Sequence, residues 1–184
     1  MAPHYIFRSD RLGFRNWVQA DIQYMSLINA DPKVMEFFPG TATTQQTEAF
    51  IARQQKQFAE KGFCYFAVDR LDNNEFIGFT GISQQTFESN FTPCIDIGWR
   101  LAQKEWGNGF ATEGAKTCLQ YAFDILGLHK IVSICPVVNT RSEAVMQKTG
   151  MHKKQTFIHP LLVQNEHLKH CVLYEIENEN TLAS

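Results

Sequence analysis

The chain has 184 residues, 44% of them hydrophobic and 20% charged, with a formal net charge of −2. That is enough apolar material for one substantial core and too little positive charge for a nucleic-acid or anionic-membrane footprint. No apolar run approaches the ~20 residues of a membrane span, and the opening MAPHYIFRSDR has no apolar signal-peptide core, so a cytoplasmic protein is expected.

Five cysteines, at 64, 94, 118, 135 and 171, are odd in number, far apart and without a CxxC pair. They read as reduced core thiols, and neither a disulfide scaffold nor a metal site is expected. In chain order, Leu12, Phe14 and Trp17 suggest a first strand running into a loop. Residues 21–30 have the spacing of a short helix ended by Asp31-Pro32. An apolar turn follows (Val34, Met35, Phe37, Phe38), closed by Pro39-Gly40. Thr43 or Thr44 caps a second helix to about Lys61, with Gly62 as its stop. A hairpin comes next, 63–70 and 75–83 about a turn at Asp72-Asn73-Asn74. Its second arm, with Phe76-Ile77-Gly78-Phe79, reads as a strand buried on both faces.

Residues 84–93 form a loop, and Cys94–Leu101 (CIDIGWRL) reads as a strand. Two alternating glycines, Gly107 and Gly109, then precede an amphipathic stripe made by Ala111, Ala115, Cys118, Leu119, Ala122 and Leu126, with Gly127 as its stop. A strand, a small-residue turn and a helix N-terminus together offer an anion site, because the first helical turn leaves N–H groups unpaired and glycine lets backbone approach a phosphate. Most such turns are only turns. The P-loop ending Gly-Lys-Ser/Thr is missing, and so is the third glycine of a dinucleotide fingerprint, where Thr112 sits. Residues 130–135 make an apolar strand stopped by Pro136. A short helix covers 139–148 up to Gly150, a strand lies around 153–158, and a last strand runs over 168–177 before a polar tail at 179–184. No repeat or linker interrupts the chain, so one domain over 5–178 is expected, an α+β (mixed α/β) fold with a mixed sheet.

The stretch Lys104–Ala115, KEWGNGFATEGA, resembles the acyl-CoA loop of the GNAT superfamily of N-acetyltransferases, Gln/Arg-x-x-Gly-x-Gly/Ala. Trp106, Gly109 and Ala111 take its three marked positions, with Trp106 departing from Gln or Arg. Asp31-Pro32 through Pro39, Gly78-Phe-Thr-Gly81, Ile97-Gly98-Trp99, Asn139-Thr-Arg-Ser142 and Lys148-Thr-Gly150-Met151 are similar to segments of the ribosomal-protein (Rim-type) branch, in the same order. The resemblance implies the GNAT fold: a central, mostly antiparallel twisted sheet flanked by helices, with strands 94–101 and 130–135 splayed apart. It also implies acetyl-CoA as cosubstrate, no metal, and an amine acceptor, most of all a peptide or protein N-terminus. A small amine (amino acid, polyamine or aminoglycoside), a non-catalytic acyl-CoA-binding module and a homodimer all stay open.

By the same resemblance, backbone N–H groups of Gly107, Asn108, Gly109, Phe110 and Ala111 would hold the pyrophosphate, and Trp106 and Thr112 at the two ends of that run would also contact the cosubstrate. Trp99, Arg100 and Leu101 would face pantetheine and the thioester oxygen. Asn139 would touch CoA, and the Ser142 hydroxyl would protonate the departing thiolate; both also suit a plain helix cap. For the base, strand alternation puts Asp96, Gly98 and Arg100 on one face. Asp96 is then either the base, directly or through water, or an ion-pair partner of Arg100. His170, which shares a face with Val172 and Tyr174, is the other candidate base, against a plain sheet histidine. His159 and Tyr174 are candidate acceptor contacts, and Glu113 suits the dipole of its helix.

Overall fold

The computed structural model describes residues 4–178; the tail at 179–184 lies outside the described residues. Eight strands form one sheet: β1 (Phe7–Arg8), β2 (Leu12–Arg15), β3 (Tyr65–Arg70), β4 (Phe76–Gln85), β5 (Cys94–Leu101), β6 (Lys130–Pro136), β7 (His152–Ile158) and β8 (His170–Glu177), in the order β1-β2-β3-β4-β5-β6-β8-β7. Neighbours are antiparallel except β5 and β6, which run parallel. The helices are α1 (Asp21–Ala30), α2 (Thr44–Lys61), α3 (Phe110–Gln120) and α4 (Thr140–Lys148). The mixed, mostly antiparallel sheet flanked by helices is the expected architecture. The two-residue β1 was not expected, because a strand that short carries no alternation to read.

Local chemistry explains the boundaries. Thr43 accepts from the Gln46 amide while the Gln46 side chain accepts from the Thr43 amide, a closed capping box, and Gly62 ends α2 at φ 76°. The stripe of α3 is buried at Ala115, Cys118 and Leu119, and the helix passes into one π-helical turn over Tyr121–Ile125 before Gly127. β4 is buried from Ile77 through Ser83, as its composition suggested. Strand β2 is tied in by a buried ion network: Arg15 is held by Asp21 and Asp69 at 2.7 Å each, which staples β2 to α1 and β3. Among the described residues no helix is long and apolar enough to cross a membrane, and four of the five free cysteines are buried.

Candidate active site

The site begins where the sheet stops being a sheet. β4 and β5 pair over eight consecutive positions, whereas β5 and β6 share the single register pair Asp96–Val132. Just past it the Ser133 hydroxyl donates to the Ile97 carbonyl at 3.0 Å. From Gly98 to Leu101 the β5 edge is free of β6. β6 meanwhile keeps its antiparallel partner β8 up to Pro136–Cys171, so one strand goes each way and a fork opens. Pro136 closes β6 and cannot donate toward β5. This is the splay expected between 94–101 and 130–135.

Two adjoining cavities fill the fork. The larger, about 450 Å³, is lined by Trp99, Arg100 and Leu101 of β5, by Trp106, Gly107, Gly109, Phe110, Ala111 and Thr112, and by Asn139 and Ser142 of the α4 start. Gly107 and Gly109 have φ of 79° and 81°, a region that costs other residues about 1–2 kcal/mol. A side chain on Gly107 would meet no protein atom within 4 Å, so open space lies over the turn. The N–H groups opening α3 lie beside that space, and Lys33, Arg141 and Lys148 add positive charge around it. Asn108 is exposed, and its side chain folds back to donate to the Glu105 carbonyl at 3.2 Å. The Trp106 substitution has a local account: its Nε1–H donates to the Leu101 carbonyl at 3.0 Å, and the Arg141 guanidinium sits 4.4 Å from its ring. The indole ties the loop to the end of β5 and builds a wall where Gln or Arg would reach out.

Glu113 does more than complement a helix dipole. It accepts from the Ser9 hydroxyl (2.7 Å), the Arg11 amide (3.0 Å) and Arg11 Nε (2.7 Å), and Arg11 also covers the Phe110 ring at 4.5 Å. The N-terminal hairpin is thus latched to the first turn of α3. These hydrogen bonds hold the Glu113 carboxyl below its usual range against the opposing effect of burial.

The smaller cavity, about 220 Å³, is lined by Asp96, Gly98 and Arg100 of β5, by Phe50 of α2, by Phe37 and Phe38, and by the end of β6 from Ser133 to Pro136. The expected Asp96–Arg100 pair does not form. Asp96 instead accepts from Tyr65 Oη at 2.6 Å and Gln85 Nε2 at 3.0 Å. Burial pushes its carboxyl up to about 6, partly offset by those two hydrogen bonds, and burial beside Asp96 raises the Tyr65 phenol well above its usual value. Arg100 turns to α1, where Nη1 donates to Asn29 Oδ1 at 2.7 Å. Nothing in the sequence signalled Tyr65, which reads as one more aromatic of an apolar strand; only the β3-β4-β5 order brings its hydroxyl across β4.

Asn139 and Ser142 line both cavities, and Asn139 also caps α4, accepting from the Ser142 amide at 3.1 Å. The other three candidates stand elsewhere. His170, expected as a candidate base, is exposed at the start of β8 and lines neither cavity. Tyr174, expected as an acceptor contact, is buried against α4, donating to Glu143 at 2.8 Å and accepting from Gln147 at 3.2 Å, and lines neither cavity. His159 caps the turn at 160–162, accepting from the Leu161 amide at 3.2 Å, and packs on Phe87 at 4.4 Å, outside both cavities. Strand spacing alone cannot separate a sheet histidine from a site histidine.

A family model described as an acetyltransferase (GNAT) domain matches residues 11–152. The chain is 30% identical over 149 residues to the Bacillus subtilis (strain 168) protein YkkB, spanning 80% of this chain and 86% of that one. Two solved structures share the fold. A spermidine N-acetyltransferase from Vibrio cholerae, solved with CoA and spermine, is 18% identical with a TM-score of 0.73, covering 95% of this chain and 99% of that chain. A ribosomal L7/L12 alpha-N-protein acetyltransferase, RimL, solved with CoA, is 16% identical with a TM-score of 0.74, covering 95% and 98%.

Proposed function

Because this chain belongs to the GNAT acetyltransferase family, using acetyl-CoA to acetylate an amine, we propose that its acceptor is a peptide or protein N-terminal α-amino group. The observation that carries the placement of the chemistry is the fork after Asp96–Val132, with a glycine turn and helix start on one side and an ionisable carboxylate on the other. The residues present fit CoA: open backbone donors at Gly107–Thr112 with Lys33, Arg141 and Lys148 around them suit its phosphates, and the free β5 edge suits pantetheine amides. Five unpaired thiols suit a reducing compartment, so we place the enzyme in the cytoplasm.

In this reading the amine nitrogen attacks the thioester carbonyl carbon, the C–S bond breaks, and the products are the acetamide and free CoA thiol. Backbone N–H groups of Trp99–Leu101 stabilise charge on the carbonyl oxygen, each such donor being worth ~3–4 kcal/mol. Asp96, ionised at neutral pH, takes the proton that the ammonium loses. Ser142, held in place by the α4 cap, gives its hydroxyl proton to the thiolate and regains one from the nitrogen of the tetrahedral intermediate as the amide forms, and Asn139 orients the cosubstrate.

An α-amine with a pKa of ~7.7–8.0 suits a base near 6 better than a lysine at ~10.4. The test uses two matched peptides, one with a free N-terminus and blocked lysine, the other reversed, while following thiol release from acetyl-CoA. Higher kcat/KM on the N-terminus at pH 7.5 is expected; preference for the lysine overturns the acceptor assignment.

A further inference from the structure

Of the two arginines drawn into the interior, one is neutralised and one is not. Arg15 sits between two carboxylates. Arg100 has no carboxylate within ion-pair distance among the described residues: one nitrogen donates to Asn29, and Nε is buried without a partner. Its guanidinium lies 4.1 Å from the Phe38 ring centroid and 5.4 Å from that of Phe79. Asn29 is itself fixed, donating to Thr47 at 2.9 Å, so Arg100 is held in place rather than swinging free. A buried cation with an unused donor is costly unless something completes it. Among the described residues, Arg100 and Asp96 are the only formally charged ones lining the smaller cavity. They lie four residues apart on one face of β5, about 13 Å along the strand. A cavity of about 220 Å³ is below the ~300 Å³ at which drug-sized sites begin, so the part of the acceptor it takes is small.

Resting on the acetyltransferase reading above, we propose that the acceptor is zwitterionic: its amine is directed to Asp96, and a carboxylate of the same molecule completes Arg100. The carboxylate belongs either to the side chain of an acidic N-terminal residue or to the α-carboxylate of a free amino acid. A polyamine, cationic at both ends, would set one ammonium against Arg100 in a poorly solvated pocket and is rejected.

Three near-isosteric α-amines separate the sources: isoglutamine (side-chain carboxylate, α-amide), glutamine (α-carboxylate, side-chain amide) and glutaminamide (neither), with spermidine as the polycation. Thiol release should show kcat/KM about 10- to 100-fold higher for one carboxylate form than for glutaminamide, the size of one charge-assisted bond. Isoglutamine ahead assigns the acidic side chain; glutamine ahead assigns the α-carboxylate. In Arg100→Gln the ratio should collapse to about 2-fold or less whatever the change in CoA affinity, which calorimetry follows separately because Arg100 also lines the larger cavity. Equal use of all three amines, or spermidine ahead of them, overturns the proposal. So does an Arg100→Gln protein that keeps the ratio but binds CoA weakly, since the charge then serves the cosubstrate. If that variant does not fold, the wild-type ratios decide alone. Calorimetry of the same amines on the CoA-loaded protein separates the two readings: carboxylate-dependent binding without turnover sinks the acceptor chemistry and keeps the anion site, and turnover without that dependence does the reverse.

Discussion

In the proposed mechanism Asp96 is the residue on which the chemistry turns, and its environment sets a pH signature. With its carboxyl near 6, the low-pH limb of kcat should rise through about pH 6 as the carboxylate forms. Asp96→Asn should lower kcat about 100- to 10,000-fold and remove that limb, with CoA affinity retained. An unchanged limb in the variant would assign it to another group. The same group has a stability consequence of opposite sense. Its folded pKa lies above the ~3.9 of an unfolded chain, so the native state holds the proton more tightly, and stability falls as pH rises from about 4 through about 6. Asp96→Asn, which still accepts from Tyr65, should therefore be more stable than wild type at pH 7.5, by no more than about 3 kcal/mol, and equally stable at pH 4. A lower melting temperature at both pH values would mean that the ionised carboxylate is structurally required. Tyr65→Phe should shift the kcat limb upward, because the hydroxyl is one of the two donors holding the Asp96 carboxyl down.

Among the elements, the turn at Gly107–Gly109 is the most exacting. Gly109→Val forces a branched side chain to φ 81° at the start of α3. It should weaken CoA binding at least about 10-fold by calorimetry in a protein whose sheet remains folded; unchanged affinity would remove the turn from the binding site. The shape of this turn was legible in the sequence, since glycines followed by a 3.6-residue stripe announce a strand-to-helix turn with little help from the rest of the fold. The helices announced themselves too: Thr43 with Gln46, and Gly62, are signals written within four residues of where they act. What could not be read was lateral. The partners of Asp96 depend on β3 and β4 lying beside β5, so Tyr65 and Gln85, 31 and 11 positions away, carry no sequence mark, and the local Arg100 looked like the natural partner. His170, His159 and Tyr174 show the same limit in reverse, chosen for their chemistry and placed by topology outside both cavities.

For the whole molecule, the larger cavity gathers residues of the 33–38 turn, β5, the glycine turn, α3 and α4, so a filled cavity joins parts of the chain far apart in sequence. CoA at about 100 times its Kd should stabilise the protein by about 2.7 kcal/mol, which for a chain of this size is a rise in Tm of about 5–10 °C. No shift at saturating CoA would contradict the site. The latch from Glu113 to Ser9 and Arg11 extends this coupling to the N-terminal hairpin, and Glu113→Gln should reduce the CoA-induced shift. The placement of the three indoles gives the molecule an optical consequence. Trp17 is 2% exposed in the core, with its Nε1–H on the Tyr65 carbonyl, whereas Trp99 and Trp106 line the cavity that CoA would fill. Tryptophan emission should therefore divide into a constant component from Trp17 and a component that changes as the cavity loads. The chain carries its own fluorescent gauge of cosubstrate occupancy, legible without any label and largely silenced by Trp106→Phe together with Trp99→Phe.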